Sequence, residues 1–98
     1  MYRIGKSAKE NWELIDAAKP NYYWFHLSSF PSAHVILECE KPTNDMFYQA
    51  ALLCKQSTKF RNVPNIKVSY CKISNLIKGD KIGSVYYKSR KQIKEIKP

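Results

Sequence analysis

The spacing of apolar and polar positions changes several times along the 98-residue chain, and each change marks an element. Tyr2 to Gly5 is long enough for one short strand. Ser7-Ala8-Lys9-Glu10 has the form of a capping box, in which hydroxyl and carboxylate each satisfy the other's backbone donor. A helix over residues 8–18 follows, with Trp12, Ile15, Ala8 and Ala18 on one side and Glu10, Glu13 and Asp16 outward, and Pro20 ends it. Residues 22–27, Tyr-Tyr-Trp-Phe-His-Leu, are apolar on both faces, as in a central strand. The turn Ser28-Ser29-Phe30-Pro31-Ser32 leads to residues 35–39, which read as a hairpin partner, with a crossover the alternative that the pattern leaves open.

Beyond the loop 41–45, Phe47, Ala50, Ala51, Cys54 and Thr58 keep one face of a second helix over 46–58. Pro64 lies in a break, after which Ile66, Val68 and Tyr70 alternate with Lys67, Ser69 and Cys71 in a strand reaching toward Ile73. Residues 78–81 make a turn. Residues 83–88 and 93–96 are short strands, expected to join through Lys88-Ser89-Arg90-Lys91 as a basic hairpin tip. The order βαββαβββ predicts one α+β domain over residues 1–98, two helices on a mainly antiparallel sheet.

Charge adds what periodicity does not. Lys and Arg number 17 against 8 Asp and Glu, a net charge of +9. Residues 1–49 carry 5 basic and 6 acidic side chains, whereas residues 50–98 carry 12 and 2. So uneven an excess has no role in packing and must face water or a polyanion. Lys-rich surfaces also keep strand edges from aggregating, but here the lysines are interleaved with Phe60, Tyr70, Tyr86 and Tyr87. Cations that neutralise phosphates beside rings that stack on unpaired bases point to single-stranded or looped RNA. The phosphate contacts expected are Lys72, Lys78, Lys81, Lys88, Arg90 and Lys91.

Other chemistries find less support. His26, His34 and Cys39 match no metal-ligand spacing, so no metal or other cofactor is expected. The two histidines are read as half-buried, fixing the turn between their strands or pointing toward a ligand. Ser28, Ser29 and Ser32 crowd beside them without a nucleophile elbow, and serines next to proline are turn residues. Gly5, Gly79 and Gly83 form no phosphate-binding loop. Three cysteines, Cys39, Cys54 and Cys71, fit no disulfide framework and are read as reduced and structural. Residues 20–37 lack charge, yet two prolines and several polar residues interrupt them, so no membrane span is expected. With no secretory signal at Met1, the expected location is the cytoplasm.

With these motifs in view, the chain resembles the NFACT-R domain, the RNA-binding module of NFACT proteins that act on stalled large ribosomal subunits in quality control. Ile4-Gly5-Lys6 with residues 10–15 looks like the family's opening strand and helix, and Trp24-Phe25-His26 looks like its W-x-H signature. Residues 32–37, Ser-Ala-His-Val-Ile-Leu, match its second histidine motif in the form found in small coiled-coil relatives. Ala50-Ala51 with Ser57, Val68-Ser69-Tyr70, Ser74-Asn75-Leu76 and Gly83-Ser84-Val85 carry the match along nearly the whole chain.

The resemblance implies the α+β fold and RNA binding, to tRNA or rRNA, without catalysis. It makes Trp24, His26, His34 and Asn75 the motif positions. DNA is the other nucleic acid it admits, since DNA sensing is attributed to the coiled-coil relatives. A ribosomal or acidic protein partner is the alternative of a different class. Departures also matter: Tyr22 stands where the family has Asp, Ser32 where it has Gly, and Ile77 where it often has Lys. Roles resting on that Asp are not carried over.

Overall fold

A computed structural model describes residues 1–98. Its strands are β1 (Tyr2–Gly5), β2 (Tyr23–Leu27), β3 (His34–Leu37), β4 (Val68–Lys72), β5 (Leu76–Lys78), β6 (Val85–Tyr87) and β7 (Lys94–Ile96). The helices are α1 (Ala8–Ala17) and α2 (Asn44–Gln56). Five strands form one antiparallel sheet in the order β1-β3-β2-β4-β7, and β5 pairs with β6 in a separate ribbon. The α+β class expected from the sequence is the one found.

Alternation along β2 explains why both faces of the sheet are apolar. Phe25 and Leu27 point to one face with Val35, Leu37 and Val68, and α2 covers it with Ala50, Ala51 and Cys54. Trp24 points to the other with Ile36 and Cys71, under Leu14, Ile15 and Ala18 of the α1 segment and Leu76, Val85 and Tyr87 of the ribbon. Fully burying each large side chain is worth about 1.5–3 kcal/mol, so β2 anchors two cores at once. The thiols are divided by the sheet, Cys54 in the first core and Cys71 in the second, and Cys39 is half-buried. Burial pushes both buried thiols up to about 11.

Local chemistry sets the helix ends. The Ser7 hydroxyl accepts from the Glu10 amide at 3.2 Å, as expected, but the Glu10 carboxylate accepts from Lys6 N–H at 3.3 Å, one residue before the cap. Thr43 caps α2 by accepting from the Met46 amide at 3.2 Å. Asn11, not Trp12, is the buried residue of α1. Trp12 is half-buried and donates its indole N–H to the Ser84 carbonyl at 2.8 Å, tying the helix to the ribbon. No helix is long and apolar enough to cross a membrane.

The C-terminal third departs from expectation. β6 and β7 do not form a hairpin: β6 pairs with β5, an additional strand, and β7 pairs with β4. The expected tip, Lys88 to Lys91, is instead a crossover between the two sheets. Asn75 braces its start: the side chain donates to the Ser89 carbonyl and accepts from the Ser89 amide, both at 2.9 Å. Asn75 also takes the Lys88 amide on its backbone carbonyl at 2.8 Å. From Ser89 the chain makes one 3-10 turn over Arg90–Gln92, the Gln92 amide donating to the Ser89 carbonyl at 3.4 Å, and runs on into β7.

Gly83 sets the ribbon against α1. Its φ of 87° is a left-handed value that side chains rarely adopt, and a Cβ there would come within 2.8 Å of the Ala8 Cα.

Candidate nucleic-acid interface

The basic residues of the second half divide by location. Lys72 at the end of β4 comes together with Lys91 and Lys94 around a cleft of about 550 Å³. Its other walls are Tyr23, Phe47, Tyr70, Cys71, Asn44 and Gln92, so no carboxylate lines it. All three lysines are exposed. The aromatic side is rigid: Tyr23 packs edge-on against Phe47 at 4.9 Å, and Tyr70 stacks on Phe25 at 5.2 Å. Alternation along β4 puts Tyr70 and Lys72 on one face, so the ring and the cation are aimed the same way.

The other expected contacts lie elsewhere. Lys78 bonds Asp16 at 2.6 Å and sits over the Trp12 ring at 5.2 Å, which ties its charge to α1. Lys81 occupies the loop of the ribbon beside Asp80, which accepts from the Tyr86 hydroxyl at 2.7 Å. Lys88 and Arg90 are exposed on the crossover. Among the expected aromatic partners Tyr86 is exposed, while Phe60, Tyr70 and Tyr87 are half-buried, with Tyr87 packed against the Trp24 ring. Of the 17 Lys and Arg side chains only Arg3 and Lys78 form ion pairs with a carboxylate.

The motif residues form a connected group. Trp24 is buried, stacks on His26 at 5.6 Å and donates its indole N–H to His34 Nδ1 at 3.1 Å. The His26 and His34 rings meet edge-on at 5.2 Å. His26 Nδ1 lies 2.6 Å from the Leu27 carbonyl, to which it donates. Burial, and after it the charge of His26, hold His34 down to about 3, and burial also lowers His26. Both rings are therefore neutral near pH 7. The turn between their strands is fixed by serines, as Ser32 accepts from the Leu27 amide at 3.1 Å and Ser28 bonds Ser69 at 2.7 Å. Asn75 is buried in its clamp on Ser89.

Sequence reasoning missed a second basic cleft, of about 850 Å³. Lys6 before α1 and Lys59 and Arg61 after α2 line it, with Asn11, His26 and His34, and again no carboxylate. It adjoins a cleft of about 470 Å³ that shares His26, Pro31, His34 and Gly83 and extends to Phe30 and Tyr87. The available signal was weak: one Lys directly before an N-cap, and Lys59 and Arg61 directly after a helix end.

No family model matches the chain. Coiled-coil domain-containing protein 25 of Danio rerio is 32% identical over 100 residues, covering 93% of this chain and 48% of that protein. The Rqc2 homolog RqcH of Bacillus subtilis is 28% identical over 90 residues, covering 89% of this chain and 16% of that protein. Among solved structures, the C-terminal part of the fibronectin/fibrinogen-binding protein of Streptococcus suis superposes with a TM-score of 0.85 at 29% identity. That match covers 97% of this chain and 39% of the other. The chain thus spans about half or less of the length of each, and it is similar along nearly all its own length to a coiled-coil protein, an Rqc2 homolog and a fibronectin/fibrinogen-binding protein.

Proposed function

We propose that this chain is a non-catalytic RNA-binding domain of the NFACT-R type, acting in the cytoplasm on tRNA or rRNA. One observation carries the proposal: Lys72, Lys91 and Lys94 share a cleft with Tyr23 and Tyr70 and with no acidic residue. Cations held beside aromatic side chains are what a single strand needs, phosphate neutralisation along the backbone and contact for the bases. The Trp24, His26 and His34 motifs and the similarity to an Rqc2 homolog support the family reading. DNA would satisfy the same phosphate contacts.

Binding of oligouridine measured across a salt series tests it. With about three phosphates neutralised by the cleft, log K falls against log salt with a slope near −2. A flat response would remove the polyanion from the account.

A second reading, docking of a protein, rests on a different surface. Ile77 and Tyr86 oppose each other across the ribbon, 48% and 54% exposed, and Ile82 in the adjoining loop is 63% exposed. The similar structure from Streptococcus suis belongs to a fibronectin/fibrinogen-binding protein. Ile77→Glu separates the two readings, since it spoils an apolar docking face and leaves oligouridine affinity unchanged if the lysine cleft is the site.

A further inference from the structure

The Lys72–Lys91–Lys94 cleft shares no residue with the two joined clefts on which the histidine pair opens. At that junction His34 is 4% exposed, and its Nδ1 is occupied by the Trp24 indole N–H. A nitrogen that accepts from an indole carries no proton, so the neutral ring bears its hydrogen on Nε2. No protein group accepts from that Nε2–H, and no fully buried side-chain nitrogen or oxygen in the molecule is left without a partner. Nε2 therefore opens onto the cleft.

His26 has the opposite arrangement. Its Nδ1 donates to the Leu27 carbonyl, which leaves Nε2 of the neutral ring as an acceptor, also without a protein partner. The two rings, with centroids 5.2 Å apart, thus offer a donor and an acceptor to the clefts that both of them line. Asn11 holds this register by accepting from the His34 amide at 3.4 Å. The basic side of the junction carries Lys6, Lys59 and Arg61.

A group that both accepts and donates at one atom, next to a phosphate, meets this description, and the ribose 2′-hydroxyl is such a group. We propose that the junction is a ribose subsite. There a ribonucleotide 2′-hydroxyl accepts from His34 Nε2–H and donates to His26 Nε2, and its phosphate lies against Lys6, Lys59 and Arg61. The inference rests on the nucleic-acid reading and adds to it a means of telling RNA from DNA. Deoxyribose offers the His34 donor no such partner.

The test compares oligouridine with oligodeoxyuridine, which differ only at the 2′ position, by fluorescence anisotropy. Wild-type protein is expected to prefer the ribo-oligomer by about fivefold, the scale of one hydrogen bond. His26→Phe keeps a ring against Trp24 but removes the acceptor, so the preference falls by about the share of one hydrogen bond. Equal wild-type affinity for the two, or a preference that His26→Phe leaves undiminished, overturns the ribose subsite and leaves nucleic-acid binding standing. If neither oligomer binds at low salt, both fall. An independent measurement on wild-type protein guards against a variant that does not fold. In histidine ¹⁵N spectra, uridine 5′-monophosphate shifts His26 Nε2 and His34 Nε2, and the 2′-deoxy nucleotide does not. Equal shifts with both nucleotides overturn the subsite.

Discussion

The Trp24 indole donates to His34 Nδ1 from the next strand of the sheet, and the two side chains are 1% and 4% exposed. This bond couples the two histidine motifs of the sequence and fixes which nitrogen of His34 carries the proton. Trp24→Phe retains a ring in the core but leaves a buried acceptor unsatisfied. The expected cost is about 1–3 kcal/mol, with added loss from the smaller ring. Urea unfolding measures the cost. Histidine ¹⁵N shifts should show His34 losing its single tautomer, and an unchanged tautomer would mean that the bond does not set it.

Acid should destabilise the fold before the carboxylates titrate. Burial and then His26 hold His34 down to about 3, against 6.5 in the unfolded chain, so the unfolded state takes up protons first. The stabilisation is complete above pH 6.5 and is lost as pH falls toward 3, by up to about 1.4 kcal/mol per unit. His26, also lowered by burial, adds in the same direction. Urea midpoints at pH 7.5 and 5.0 should differ by about 2 kcal/mol in stability. Equal midpoints would place both histidines at ordinary values.

Asn75 is predicted to act through structure. Both ends of its amide are used on Ser89, and the residue is 2% exposed. Asn75→Ala should cost about 2 kcal/mol and speed hydrogen exchange at the Ser89 amide. Unchanged stability would free Asn75 for a direct role at a ligand.

Charge reversal should separate the lysines by location. Lys91→Glu with Lys94→Glu should weaken oligouridine binding and flatten the salt slope by about 1.4, the share of two phosphates on a single strand. Stability should move by no more than about 0.5 kcal/mol, because both side chains are exposed. Lys78→Ala should change affinity less than twofold, because its charge is already met by Asp16. A larger effect from Lys78 than from the pair would relocate the interface to α1 and the ribbon.

Periodicity revealed the central elements because tertiary structure agrees with it. Residues 22–27 read as a central strand, and Tyr23–Leu27 is flanked by β3 and β4 with apolar side chains on both faces. Ala50, Ala51 and Cys54 read as the core face of the second helix and are fully buried. The C-terminal third was less legible because the bracing of its crossover by Asn75, a buried polar side chain, leaves no periodic trace. Leu76–Lys78 is too short to show an alternation, and without it β6 had no visible partner except β7. The missed cleft has a related cause: Lys6 and the pair Lys59 and Arg61 come from segments more than fifty residues apart and meet only after folding.

The placement of the three thiols has a practical consequence. Thiolate is the reactive form, and burial keeps Cys54 and Cys71 protonated on opposite sides of the sheet. A maleimide offered to the native protein therefore meets Cys39 first, giving one dye per molecule without mutagenesis.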